Sequence, residues 1–462
     1  KGHTERLLYP FGYGDGGGGT TRDPLEYPAR EGDLEGLPRT RQAAPSELLD
    51  ELAKGDPPAN RYVGELYLEL HRGTLTSQAR TKRFNRKCEL ALREAELWAA
   101  AAAAVAGADY PADRLEEAWK AVLLNQFHDI LPGSSIGRVY EEAEALYEET
   151  LESAEAMAAD ARRALLDDEE DGWTVFNSLS WPRDAIVSLP ADGDKVPVDA
   201  AGEPLPCQRV GRGAKARLLT AVDDMPAMGA VTLRLAEAEP AEPVGGVFAE
   251  SAGGGAKMEN EFLRLRIDRH GRISDLYDKT AHRQIAPRGE ALNRLELYKD
   301  NPADWDAWDI DRSYKLSPVE LGPAERVEVV AAGPVEARVA VTRKIGEGST
   351  FEQEIILRCG SARIDFETVV DWQEMHRLLK VAFPADLHPQ RLRGDVQFGH
   401  IQRPTHRNTE FEQQRYEWVA QKWADISEGE YGLAVLNDCK YGHDFLDGVL
   451  RLSLLRSSMS PH

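Results

Sequence analysis

The sequence predicts a multidomain α+β protein, a helical bundle followed by antiparallel β-sandwich domains. Three observations predict it. The chain has 462 residues, well beyond one ordinary domain of roughly 100–200. Apolar residues recur at helical spacing from about Ser46 to Leu166. Beyond the acidic run DDEEDG at 167–172 the pattern becomes short β-rich segments broken by glycine turns.

The elements follow in order. Up to about Gln42 the chain reads as loop, with a glycine run at 16–19. Ser46 is a candidate N-cap for SELLDELAKG, and a long helix is expected over about Thr76–Ala106. Asp113 and Glu116 have capping-box spacing and open DRLEEAWKAVLLNQF, where Leu115, Trp119, Val122 and Leu123 form one stripe. A further helix carries Ala143, Leu146, Thr150, Ala154, Met157 and Ala161 at near-heptad spacing. Three long helices with short connections predict a bundle. After it, VEARVAVTRKI, FEQEIILR and ARIDFETVVDW read as strands, and the Pro- and Gly-containing stretch at 236–256 separates two β units.

Composition excludes several classes. The net charge of -23 argues against nucleic acid, whose phosphates require clustered Lys and Arg. No apolar run reaches the roughly 18–20 residues that span a bilayer, and no signal peptide is visible, so no membrane partner is expected. The four cysteines are widely spaced, without CxxC, which disfavours a cysteine zinc site or a disulfide framework and points to a reducing, cytoplasmic setting.

Chemistry concentrates in a few segments. In NQFHDILPGSS (125–135) His128 and Asp129 stand where a helical run meets Pro-Gly. On a helical wheel His128 points away from the apolar stripe, unlike a core histidine; the structural alternative is a histidine at a helix C-terminus beside a turn-forming aspartate. FGYGDGGGG (11–19) lacks the Lys-Ser/Thr of a phosphate loop and places Asp15 in its middle, where a carboxylate repels phosphate but accepts sugar hydroxyls. In GELYLELHRGT (64–74) a strand would put Glu65, Tyr67, Glu69 and His71 on one face, and a pocketed Glu65 could serve as a general acid. DWDAWDID (304–311) combines Trp305 and Trp308 with aspartates, suited to a sugar face or to a structured loop; it lacks the glycine and final Glu of a calcium loop. NDCKYGHD (437–444) carries Lys440 and His443 and reads as structural.

In this order, FGYGDGGGG, GELYLELHRGTLTSQARTKR, NQFHDILPGSS, DWDAWDID and NDCKYGHD resemble the bacterial branch of the glycoside hydrolase family 38 α-mannosidases, from about Leu8 to the end of the chain. The resemblance implies a zinc-dependent retaining glycosidase that removes terminal α-linked mannose from oligosaccharides. It also implies residues 1–44 as the C-terminal remnant of a catalytic α/β barrel, 45–168 as the bundle, 169–245 as a small β domain and 246–462 as a large β-sandwich. His128 matches a zinc ligand, Asp129 a residue holding sugar hydroxyls, and Glu65 the general acid/base region. Asp15 resembles a substrate-contact carboxylate, and Trp308 is a further candidate sugar contact.

The sequence departs from the family in one respect. The early His-x-Asp zinc pair and the aspartate segment supplying nucleophile and ligand are absent, so three of four expected zinc ligands lie outside this chain, which resembles an internal fragment. A zinc shell needs about four ligands, and retaining hydrolysis needs two carboxylates about 5–5.5 Å apart. The expectation is an isolated chain that neither cleaves mannosides nor binds zinc tightly. The competing reading is a non-catalytic carbohydrate-binding or scaffold fragment. Mannose linkage and homo-oligomerisation are left open.

Overall fold

The computed structural model describes residues 6–12, 18–57, 60–166, 172–211, 213 and 216–459. The chain divides into two compact units, Lys1–Leu66 and Tyr67–His462.

In the first unit α1 spans Arg22–Glu31 and α2 spans Pro45–Ala53. None of its described residues is buried, so it carries no apolar core of its own. Ser46 is not the N-cap of α2. Pro45 opens the helix, where its missing N–H is no loss, and the backbone N–H of Ala44 donates to the Glu47 carboxylate at 3.1 Å. The Asp15 position and the acidic run 167–171 lie outside the described residues.

The second unit begins with three helices: α3 (Ala79–Ala106), α4 (Ala112–Asn125) and α5 (Gly137–Ala164). Cys88, Leu92 and Ala95 of α3 meet Leu115, Ala118 and Val122 of α4 and Tyr147, Ala154 and Met157 of α5 in one core. The spacing within each helix is three, four or seven residues, the intervals that keep side chains on one face. The α4 stripe differs from its sequence reading. Ala118 takes the core position, Trp119 is half-buried with its indole N–H on Glu96, and Leu123 faces outward. Pro111, not Asp113, precedes the first turn of α4, so the Asp113–Glu116 capping box does not form.

Strands begin at Trp173. Two three-stranded sheets fill residues 173–236, and 237–247 connects them to the larger β region; the expected separator at 236–256 also holds the strand Phe248–Ala252 and the start of Gly255–Glu259. That region contains a five-stranded sheet, a six-stranded sheet and two four-stranded sheets, with antiparallel strand pairing. The three quoted β segments form Glu336–Ile345, Ser349–Arg358 and Ile364–Asp371, consecutive neighbours in one sheet. In the six-stranded sheet, Arg377–Pro384 lies beside Val449–Arg456, which brings Lys380 and Arg456 into the interior. Among the described residues no helix is long and apolar enough to cross a membrane.

Candidate functional site

The helix α4 stops at Asn125, three residues before His128, so the histidine belongs to the following turn and not to the helix itself. Its side chain is 68% exposed, and Nε2 lies 3.4 Å from Oδ2 of Asp129. The other carboxylate oxygen, Oδ1, accepts the Ser134 hydroxyl at 2.8 Å. The Asp129 carbonyl gathers Ser134 N–H at 3.1 Å, the Ser135 hydroxyl at 2.9 Å and the Tyr140 hydroxyl at 3.2 Å. Tyr140 is buried at the start of α5 and its oxygen accepts Ser135 N–H at 2.7 Å. Thus two serines and a tyrosine fix the backbone of Asp129, while the largely exposed imidazole beside it lies against the Phe127 ring, with centroids 4.2 Å apart.

The loop is also clamped from α3. The buried Lys82 ammonium donates to the carbonyls of Leu131 at 2.9 Å, Pro132 at 3.1 Å and Ser77. Desolvation, with Lys440 and Arg456 nearby, pushes this ammonium down to about 7. Gly133 adopts φ 97°, and a Cβ there would stand 2.7 Å from Ser77 Cβ and carbonyl oxygen. Only glycine permits both the turn and that approach.

Ser77 in turn joins the loop's support to the β region. Its hydroxyl donates to Ala307 O at 2.9 Å and accepts from Arg456 at 3.0 Å, and the same guanidinium pairs with Asp300. Burial raises the Asp300 carboxyl although Arg456 opposes that effect. DWDAWDID therefore belongs to this support. The Trp308 carbonyl accepts Gly73 N–H at 2.8 Å, and Asp309 holds both Nη1 of Arg72, at 3.0 and 3.2 Å, and the Arg72 N–H. Arg72 also lies over the Tyr416 ring at 4.4 Å. The indole of Trp308 is half-buried, with Trp305 edge-on at 6.1 Å.

NDCKYGHD enters the interior. Asp444 is fully buried among Lys380 at 2.9 Å, Lys315 at 3.0 Å and Arg451 at 3.4 Å. Burial would raise its carboxyl, but the three cations hold it well below the usual range. Glu417 also pairs with Lys380. The buried His443 imidazole stacks on Trp418 at 5.1 Å and is pushed down to about 4 by desolvation.

The GELYLELH alternation does not make a strand. Gly64 at φ 148° and the Tyr62 hydroxyl on the Glu65 carbonyl give an irregular segment, and His71 takes φ 70°. Without a neighbouring strand the alternation has no ladder to join. Tyr67 instead packs on the β core and donates to Glu417 O. Glu65 is half-buried in the first unit.

The structure therefore brings His128 and Asp129 together. Sequence reading missed Lys82, Arg72 and Arg456, whose roles depend on contacts across long chain separations. The one local hint was the pairing of Arg72 with Gly73 in HRGT, a cation beside a close backbone approach. Among the described residues no three His, Cys, Asp or Glu side chains are grouped as a metal requires. The described residues thus offer zinc one histidine and a neighbouring carboxylate, not a closed shell.

Comparison with known proteins locates these features. Residues 69–165 match the alpha mannosidase middle domain, and residues 258–462 match the C-terminal domain of glycosyl hydrolases family 38. The chain is 35% identical to human alpha-mannosidase 2C1 over 100% of its length and 43% of that protein. It is 32% identical to Dictyostelium discoideum alpha-mannosidase G, over 98% of this chain and 44% of that one. The chain thus spans less than half the length of the curated relatives it matches. The crystal structure of an alpha-mannosidase from Enterococcus faecalis V583 superposes with a TM-score of 0.76 at 18% identity, covering 95% of this chain and 58% of that one. The order of matched segments, bundle first and β region after it, agrees with the architecture described above. The chain belongs to glycosyl hydrolase family 38, of which it carries the middle and C-terminal domains.

Proposed function

We propose that this chain supplies part of the active site of a zinc-dependent retaining α-mannosidase acting on terminal α-linked mannose of oligosaccharides, in a cytoplasmic setting. The observation that carries the proposal is the exposed His128 imidazole beside Asp129, on a loop clamped by Lys82, Ser134, Ser135 and Tyr140. A rigid backbone under an exposed, polar pair is what a ligand-presenting loop requires.

In this reading His128 contributes one zinc ligand and three others come from outside the described residues. Asp129 accepts hydroxyl protons of the sugar, its carboxylate oriented by Ser134. Glu65 protonates the departing glycosidic oxygen and afterwards, as carboxylate, takes a proton from the attacking water. Asp15 and Trp308 are proposed as further sugar contacts. The carbonyl of Trp308 is already committed to Gly73, which leaves its half-buried ring for such a role.

A second reading for the isolated chain is a carbohydrate-binding or scaffold fragment, in which the bundle and β domains stand without the rest of the site. Both readings are tested by assaying the 462-residue chain with an aryl α-mannoside, and they are separated by whether the native protein, purified with whatever flanks this chain, loses activity in its His128→Ala variant. For the 462-residue chain the expected result is no turnover and no tight zinc; robust, EDTA-sensitive cleavage contradicts the proposed division of the site.

A further inference from the structure

Among the described residues, one buried cation in the large β region forms no ion pair. Arg343, in the strand Glu336–Ile345, is 5% exposed. Its two terminal nitrogens donate to backbone, Nη1 to His270 O at 3.4 Å and Nη2 to Gly322 O, while Nε has no hydrogen-bond partner among the described residues.

The surrounding acids are already committed. Asp268 accepts His270 N–H at 2.8 Å and Arg272 N–H at 3.0 Å on one oxygen, and Arg272 Nε at 2.9 Å on the other. Arg294 pairs with Glu290 and with Glu296 at 2.9 Å. Glu296 is shared with Arg451 at 2.7 Å and the Tyr298 hydroxyl at 2.7 Å. Matching Arg272 to Asp268, Arg294 to Glu290 and Arg451 to Glu296 leaves Arg343 as the surplus charge. A buried guanidinium with neither an ion pair nor a full set of acceptors is unfavourable unless something else supplies them.

Space for a supplier is present. Arg272, Arg294 and Arg343 line a cavity of about 280 Å³, together with the Glu296 carboxylate already held by Arg294 and Arg451, and its apolar walls include Leu295, Val319 and Leu321. A water needs only about 10–15 Å³ of such space, so the cavity has room for a small organic molecule. We infer that this cavity binds a small organic oxyanion, its phosphate or carboxylate head on Arg343 and its body against Leu295, Val319 and Leu321. Arginine suits that head because its planar fork matches both groups. The site does not draw on His128, Asp129 or Glu65, and stands whether or not the mannosidase reading holds.

The test is the thermal midpoint of the 462-residue chain, titrated at constant ionic strength with sodium phosphate and, separately, sodium acetate, against sodium chloride. Either oxyanion is expected to raise the midpoint saturably, by about 1.5 °C at roughly ten times its dissociation constant. The two arms show which head the site prefers. Arg343→Met removes the cation and Leu321→Trp fills the cavity with Arg343 intact; each should abolish the saturable part, leaving only the linear response phosphate gives any protein. If Arg343→Met does not fold, Leu321→Trp decides. No saturable shift with either oxyanion, or one that persists in Leu321→Trp, overturns the inference.

Discussion

Lys82 Nζ lies 2.9 Å from the carbonyl oxygen of Leu131, so a buried ammonium on α3 holds the loop that presents His128. The same ammonium reaches Pro132 and Ser77, which makes it the junction between the bundle and the turn after α4.

Lys82→Met removes three hydrogen bonds to backbone carbonyls. Bonds from a charged donor contribute about 1.5–3 kcal/mol each, and a tenfold change in local opening is about 1.4 kcal/mol. Hydrogen exchange at Leu131, Gly133 and Ser134 should therefore accelerate at least about tenfold, while amides in the α3–α5 core change little. Unchanged protection in the loop would show that Asp129's contacts suffice without Lys82.

Gly133→Ala should be more damaging than its size implies. The residue sits at φ 97° and its Cβ would meet Ser77 backbone, which cannot yield like a flexible side-chain tip. Strain of this kind is about 1–3 kcal/mol before the clash is counted. The thermal midpoint should fall clearly, and a midpoint equal to the parent's would contradict the close approach.

The pair Arg72–Asp309 predicts an asymmetry between two substitutions. Arg72→Met strands a largely buried carboxylate and is expected to destabilise by about 3–5 kcal/mol. Arg72→Lys keeps the charge but loses the contact to Gln414 O at 3.2 Å and the stacking on Tyr416. Denaturation should rank parent, Lys, then Met; equal stability of the two variants would mean the fork geometry is irrelevant.

His443 supplies a pH dependence. Burial pushes its imidazole down to about 4, with Lys380 and Arg403 adding to the effect and Asp444 opposing it. The unfolded chain takes up this proton near pH 6.5, whereas the folded chain refuses it until about 4. The resulting stability is therefore complete above pH 6.5 and lost as pH falls toward 4, by about 3 kcal/mol for the imidazole alone. His443→Phe should flatten this part of a thermal-midpoint profile measured between about pH 7 and pH 4.5. A variant profile parallel to the parent's would assign the acid sensitivity elsewhere.

Periodicity made much of the architecture legible. The α5 positions Ala143, Thr150, Ala154, Met157 and Ala161 are buried as their spacing indicates, whereas Leu146 is only half-buried and Tyr147 beside it takes the core place; the β segments after 335 fall where alternation and turns put them. Helix starts were less legible, because proline at 45 and 111 displaced the capping residues that Ser46 and Asp113 offered. Leu123 misled because α4 uses the smaller Ala118 for its core contact. At the site, proximity in sequence revealed His128 with Asp129, since neighbours in a tight turn need no long-range information. Lys82 and Arg456 were hidden because their meaning lies in carbonyls 49 and 149 residues away.

The most direct test of the central claim is EDTA-sensitive hydrolysis of an aryl α-mannoside by the native protein, purified with whatever sequence flanks this chain, compared with its His128→Ala variant. If His128 holds the metal, the native protein turns over, and the variant loses bound zinc and at least about a hundredfold in kcat/KM, as loss of a metal ligand implies. A variant that keeps both zinc and activity, or a native protein with no mannosidase activity at all, would contradict the account.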